Sequence, residues 1–183
     1  VGDGGRSDMM WAASLRVPRM NSAPPCAIGV VVPAFREATN IAALVSHIQA
    51  TLPGACVVVV DDSPDDDTVR ALAGHEVKVL HRKAKGGRGS AVLDGIRLLL
   101  ASPFEFVVEM DADFSHPPSE LPALLEQARR EHLDLLIGSR YIEGSRIENW
   151  PLTRRMFSRS ANTLARTLLR VPVRDYTNGY RVY

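Results

Sequence analysis

The sequence is short of cysteine, aromatic residues, net charge and long apolar runs, and most of these shortages close off a class of function. Only Cys26 and Cys56 occur, in neither a CxxC nor a Cys/His ligand spacing. That argues against a disulfide framework and a structural zinc site, and it fits a reducing compartment such as the cytosol. A net charge of +1 over 183 residues is not the basic excess of a protein that tracks phosphate backbones, so no nucleic-acid partner is expected. No apolar run approaches the roughly 20 residues that span a bilayer. A membrane, if one matters, is touched at its surface or reached through a membrane-anchored partner. There is no Gly-x-Ser-x-Gly elbow and no second histidine at ligand spacing beside His116. What remains, 45% hydrophobic residues at this length, is enough to bury the core of one ordinary domain.

The texture divides the chain. Residues 1–25 mix Gly2, Gly4 and Gly5 with scattered Arg, Ser and Pro and show no period. They read as a disordered leader, an upstream extension of a chain that starts at Met20. From residue 26 to 183 runs the expected single domain. Ile28 to Val32 is a β-branched run ended by Pro33, as in a strand buried on both faces. Ile41, Leu44, Val45, Ile48 and Leu52 then recur at helical spacing, with Thr39 or Asn40 as cap and Pro53-Gly54 as stop. Val57 to Val60 reads as a strand, Thr68 to Leu72 as a short helix and Val77 to Leu80 as a strand. A helix follows through Ala91, Leu93, Ile96 and Leu100, then a strand over Phe104 to Met110. Pro117-Pro118 opens a helix carrying Leu121, Leu124, Leu125 and Ala128, and Leu133 to Ile137 closes the series as a strand. Such alternation predicts an α/β fold, a mostly parallel sheet with helices on both faces. A helix is further expected over Pro151 to Leu169, lying across the carboxyl edge of the sheet.

Four polar clusters follow expected strands: Pro33 to Glu37, Asp61 to Asp65, Arg82 to Gly89, and Asp111-Ala112-Asp113. Together, on one edge, they make a site. Asp111 and Asp113, one residue apart in extended geometry, project to the same side. Such a pair suits Mg2+ or Mn2+ with open positions for phosphate and water, or a ribose; the alternative is a pair of solvated loop aspartates capping the helix after Pro117. Asp61 and Asp62 can accept from a base N–H or ribose hydroxyl, or support an Asx turn. Glu37 can reach a ribose or base, or sit solvated at a helix start. The loop Lys83 to Gly89, with Lys85 among its cations, can hold phosphate on backbone N–H groups, or be a flexible turn. It is neither a Walker A loop nor a dinucleotide fingerprint. Arg154, Ser158 and Asn162 share one helix face, and an arginine fork suits phosphate. His116, between Ser115 and two prolines, reads as a turn residue.

These residues resemble the inverting GT-A glycosyltransferases in Pro33 to Glu37, Val60-Asp61-Asp62-Ser63 and Asp111-Ala112-Asp113. Within that superfamily the chain is similar to the polyprenol-phosphate (dolichol-phosphate) mannose synthases of family 2. The resemblance rests on Asp111 to Pro118, Gly138-Ser139-Arg140-Tyr141, Trp150 with Arg154 and Ser158 to Asn162, and Asp175 to Arg181. It covers the chain from about Ile28 to the end. It implies a GT-A, Rossmann-like fold and mannose transfer from GDP-mannose to a lipid-linked polyprenyl phosphate, at the cytoplasmic face of a membrane. Asp111 and Asp113 would take the metal, with Asp113 catalytic, and Asp111 and Ala112 would meet the nucleotide diphosphate. Pro33, Phe35, Glu37, Asp61 and Asp62 would surround the nucleoside. Arg140, Arg154 and Ser158 would hold donor and acceptor phosphates. Three positions depart from the pattern: Phe35-Arg36 for a Tyr-Asn pair, Arg88 for an apolar residue, and Asn178 for serine. Family members also carry further structure after this Gly-aromatic-Arg motif, so the sequence is expected to stop short of a whole member.

A phosphate monoester, with a second pKa near about 6, is largely dianionic at neutral pH. It needs positioning rather than a general base, which suits arginines and no catalytic histidine. Other readings stay open at this level: a UDP-glucose-dependent lipid-phosphate transferase, a catalytically inactive nucleotide-binding module, and a nucleotidyltransferase.

Overall fold

A computed structural model of the chain describes residues 27–82, 86–138, 163, 167, 175 and 178–183. The leader expected over residues 1–25 lies outside them, as does nearly all of the helix expected from residue 151. Within that helix only Thr163 and Thr167 are described, both helical, with the Thr167 hydroxyl donating to the Thr163 carbonyl at 2.9 Å.

The alternation is present in order. Strand β1 (Ile28–Ala34) leads to α1 (Ile41–Thr51), β2 (Cys56–Asp61), α2 (Asp67–Ala71), β3 (Lys78–His81), α3 (Arg88–Leu99) and β4 (Phe106–Glu109). A 3-10 turn (Pro118–Glu120), α4 (Leu121–Glu131), β5 (Leu136–Ile137) and β6 (Arg181–Val182) complete it. The six strands form one sheet in the order β3-β2-β1-β4-β6-β5, parallel from β3 to β4. Strand β6 was not foreseen, because its two residues give periodicity nothing to register. It runs antiparallel between β4 and β5 and separates them, and the strand expected over Leu133 to Ile137 is present as the shorter Leu136–Ile137.

The valine runs face both ways. Val30, Val32, Val57 and Val59 join the core under α1 and α4, where Ile41, Leu44, Val45, Ile48, Leu121 and Leu125 pack. Val31, Val58 and Val60 face the smaller core under α3, with Ala91 and Leu99. Gly95 lets α3 approach that closely: a Cβ there would lie 2.5 Å from Val31 Cγ1. Asn40 makes no side-chain cap to α1; instead the Glu37 carbonyl accepts from the N–H groups of Asn40 and Ile41. Cys56, at the start of β2, is disulfide-bonded, which corrects the expectation drawn from cysteine spacing.

Strand β1 does not end before Pro33 but runs through it. The reason is geometric. Val31 accepts at its carbonyl from Met110 of the β4 side, and Ala34 from Asp62 of the β2 side. Pro33, two residues after Val31, therefore faces β4, but the β1–β4 register ends at Val31↔Glu109. Its missing N–H breaks no ladder bond there.

Candidate functional site

Where β4 leaves β1, the sheet opens. The chain passes from β1 through α1 on one face and from β3 to β4 through α3 on the other, so the gap between β1 and β4 is a topological switch point. Ligands of open α/β sheets bind outside the strand carboxyl ends at such a point. A cavity of about 460 Å³ lies there, lined by the segment from Pro33 to Phe35 with Glu37, by Asp62, by Gly87, Arg88 and Ala91 at the start of α3, and by Asp111, Ala112 and Asp113. Two residues beside it have left-handed backbone, Arg36 (φ 61°) and Phe114 (φ 57°). That conformation costs non-glycine residues free energy and is held here by the surroundings, such as the 2.8 Å bond from the Arg36 N–H to Ser63 Oγ.

Asp62 ties the cavity wall together. Arg82 grips its carboxylate with both ends of a guanidinium fork, at 2.5 and 2.6 Å, and the N–H groups of Gly86 and Gly87 donate to the same oxygen at 3.2 Å. Arg82 also donates to Ser90 and Asp94 of α3. Burial pushes the Asp62 carboxyl up, but the Arg82 hydrogen bonds and charge and the two glycine N–H groups outweigh it. The net pKa lies below the ordinary value. The glycine loop is thus fastened to an aspartate, and Gly87 enters α3 with φ 84°.

On the opposite wall, Asp113 accepts from the Ser115 N–H at 2.9 Å. Burial raises its pKa, and the Ser115 hydrogen bonds and the nearby His116 together bring it below the ordinary value. Asp111 is held by Arg88, whose Nε lies 2.7 Å from Oδ1, while Nη2 of the same guanidinium lies 2.6 Å from Glu109 Oε1. Burial lowers the Arg88 pKa, but Asp111 and Glu109 more than reverse this. Glu109 is buried, and Tyr183 donates to its other oxygen at 2.8 Å. A Cβ on Gly179 would strike both the Arg88 guanidinium and the Asp111 carboxylate. His116 stacks on Tyr180, with centroids 4.7 Å apart.

Among the described residues, no group of three or more His, Cys, Asp or Glu converges on a metal position. Asp111 and Asp113 are the carboxylates that line the cavity from the β4 side, and such a pair fits Mg2+ or Mn2+, which commonly rest on one or two carboxylates with phosphates and water completing the shell.

Of the residues singled out from sequence, Pro33, Phe35, Glu37, Asp62, Asp111, Ala112 and Asp113 line this one cavity. Asp61 is not among the lining residues. It is fully buried and accepts from both the N–H and the hydroxyl of Ser63, at 3.1 and 2.6 Å, the Asx-turn role. Among the described residues its Oδ2 has no hydrogen-bond partner, and it lies 3.9 Å from His81 Nε2. Lys85, Arg140, Arg154 and Ser158 lie outside the described residues. Sequence reasoning missed Arg82 as the partner of Asp62 and Arg88 as that of Asp111. The signal for Arg88 was present, a cation between loop glycines where an apolar residue was expected.

A family model described as glycosyl transferase family 2 matches residues 29–183. A polyprenol monophosphomannose synthase of Mycolicibacterium smegmatis is 41% identical over 160 residues, 84% of this chain and 60% of that protein. An undecaprenyl-phosphate mannosyltransferase of Micrococcus luteus is 38% identical, covering 84% of this chain and 64% of its own length. A dolichol-phosphate mannosyltransferase of Pyrococcus furiosus is 40% identical, covering 78% and 41%. The chain therefore spans less than two thirds of the length of these relatives. Among solved structures, glucosyl-3-phosphoglycerate synthase of Mycobacterium tuberculosis in complex with Mn2+, UDP and glucosyl-3-phosphoglycerate superposes with a TM-score of 0.61 at 23% identity, over 86% of this chain and 56% of that one. That likeness speaks for the fold.

Proposed function

The chain belongs to glycosyl transferase family 2, and from that premise we propose that it is the donor-binding part of an enzyme moving mannose from GDP-mannose to a polyprenyl phosphate. The observation that carries the reading is the convergence of Phe35, Glu37, Asp62, Asp111 and Asp113 on one cavity at the switch point of the sheet, in a chain whose relatives are named for mannosyl transfer to polyprenyl or dolichyl phosphates.

In this reaction an oxygen of the lipid phosphate forms a bond to the anomeric carbon as the bond from that carbon to the diphosphate breaks. GDP leaves and the anomeric configuration inverts. No proton need be removed from the acceptor, because its phosphate already carries the attacking charge. Phe35 offers the base a partly exposed ring, and Glu37 stands beside it for the base or ribose. Asp62 acts on the donor through the glycine loop, by holding Gly86 and Gly87 in place. Lys85, in the same loop by sequence, is assigned to the diphosphate. Asp111 and Asp113 would hold a divalent cation, Mg2+ or Mn2+, which supplies compensation for charge developing on the departing diphosphate. Arg140, Arg154 and Ser158 are assigned to the donor and acceptor phosphates, where a guanidinium fork both orients an anion and screens its repulsion from the diphosphate. No helix among the described residues is long and apolar enough to cross a membrane. Because the acceptor is a lipid, we assign the reaction to a membrane surface, reached by peripheral contact or a membrane-anchored partner at the cytoplasmic face.

The test is transfer of labelled mannose from GDP-mannose into a lipid-extractable product with a polyprenyl phosphate and Mn2+. Asp113→Ala is expected to abolish it. Arg154→Ala is expected to raise the KM for the lipid while leaving that for GDP-mannose within about twofold. Undiminished turnover by Asp113→Ala overturns the assignment.

A further inference from the structure

Asp111 is not waiting free for a cation: it already has one. Arg88, the first residue of α3, reaches across the cavity wall with Nε 2.7 Å from Asp111 Oδ1 and Nη2 2.6 Å from Glu109 Oε1, and Nη2 also donates to the Gly179 carbonyl at 3.4 Å. The arrangement is built rather than incidental. Glu109 is buried at the end of β4 and is held from its other oxygen by Tyr183, and Gly179 is the residue whose lack of a side chain leaves room for the Arg88–Asp111 contact. Among the described residues, Asp111 is ion-paired with Arg88 and Asp113 takes a backbone N–H.

We propose that Arg88 is an internal counter-cation of Asp111 that a divalent metal must displace, and that the diphosphate of the donor accepts the displaced guanidinium. The inference rests on the metal reading of Asp111 and Asp113 given above. Its chemistry is a competition. A guanidinium and a divalent cation cannot both sit against one carboxylate without strong repulsion, since like charges a few ångströms apart repel by several kcal/mol at an effective dielectric of about 20. Without nucleotide, the guanidinium has no better anion to go to, and the metal binds weakly. With a diphosphate in the cavity, which Arg88 itself lines, the guanidinium exchanges one charge-assisted fork for another. Metal and nucleotide then favour each other's binding by the same factor. The effect is to couple metal loading to the presence of donor.

The experiment titrates Mn2+ into the purified chain, following free Mn2+ by its electron paramagnetic resonance signal, with and without GDP. Arg88→Gln is expected to tighten Mn2+ binding without GDP by about tenfold or more, the value of one charge-assisted hydrogen bond removed from the competition. It is also expected to shrink the gain that GDP gives. Arg130→Gln, which removes the same charge from an exposed position on α4, should behave like the unaltered chain. If Arg88→Gln folds poorly, Arg88→Lys serves instead: its single ammonium can hold only one of the two carboxylates, and a gain of at least about threefold is expected. Mn2+ affinity unchanged or weakened in the Arg88 variant, while GDP still promotes metal binding, overturns the role of Arg88 and leaves the metal site standing. Failure of the unaltered chain and the variants to bind Mn2+ even with GDP overturns the metal site, and this inference with it.

Discussion

Replacing Arg82 by methionine removes the guanidinium and keeps most of the side-chain volume, leaving Asp62 as a charge with 5% side-chain exposure and without its guanidinium partner. Breaking a buried ion pair by removing one partner costs about 3–5 kcal/mol. Two features place this case at the lower end. The N–H groups of Gly86 and Gly87 remain on the Asp62 carboxylate, and the cavity gives that carboxylate some access to water. Against this, Ser90 and Asp94 also lose the Arg82 donor. A loss of about 3 kcal/mol follows, or roughly 6–12 °C in Tm for a chain of this size. Urea unfolding followed by circular dichroism measures it, and adding Asp62→Asn makes a double-mutant cycle in which the two losses should be clearly less than additive. The pH dependence carries a sign. Asp62 has its folded pKa below the ordinary value, so its contribution is present above that value and is lost as pH falls through the folded one. The advantage of the unaltered chain over Arg82→Met should therefore shrink below about pH 4. An Arg82→Met variant within about 0.5 kcal/mol of the unaltered chain at neutral pH would refute the reasoning.

Gly95→Ala gains about 1 kcal/mol of helix propensity but sets a Cβ 2.5 Å from Val31 Cγ1 and 3.1 Å from Val60 Cγ2. Neither valine can rotate freely away, so overpacking of about 1–3 kcal/mol should win and Tm should fall; a raised Tm would contradict the close packing of α3 on β1. His81 has its pKa raised, first by the Ser63 carbonyl and then by Asp61, Asp66 and Asp65, against an opposing contribution from burial. Its contribution to stability is thus fully present below the ordinary histidine value and is lost as pH rises through the folded one, and an NMR titration placing His81 at or below that ordinary value would contradict it. Phe35→Ala, which removes the ring offered to the base, should weaken GDP binding by about tenfold with little change in Tm, since the ring is partly exposed; calorimetric titration distinguishes this from a folding defect.

The fold was legible because its information is local and repeated. Val30 to Val32 and Val57 to Val60 are buried from both sides, and an uninterrupted β-branched run is how such a strand reads. Ile41, Leu44, Val45 and Ile48 could be placed on one helix face for the same reason. Strand β6 could not, because Arg181 and Val182 join the sheet through pairing with residues more than seventy positions earlier in β4. Nor could the passage of β1 through Pro33, which depends on where a different strand stops. In the site, residue types and their positions after strands were enough to gather Pro33, Phe35, Glu37, Asp62 and the Asp111–Asp113 pair. Pairing was not. Asp61 and Asp62 look alike in sequence, yet one closes a turn beneath the loop and the other grips Arg82. Arg88 stood out only as an anomaly until its two carboxylates were seen on either side of it.

The most direct measurement of the central claim is the thermal stability of the purified chain with GDP-mannose, GDP, UDP-glucose and UDP, each with and without Mn2+. A ligand that binds only the folded state raises Tm by mass action, by about 2.7 kcal/mol of stability at a hundredfold excess over Kd. A rise confined to the guanosine ligands and dependent on Mn2+ is the predicted result. No rise with any of the four in a folded sample, or a rise confined to the uridine ligands, would contradict a GDP-mannose site between β1 and β4.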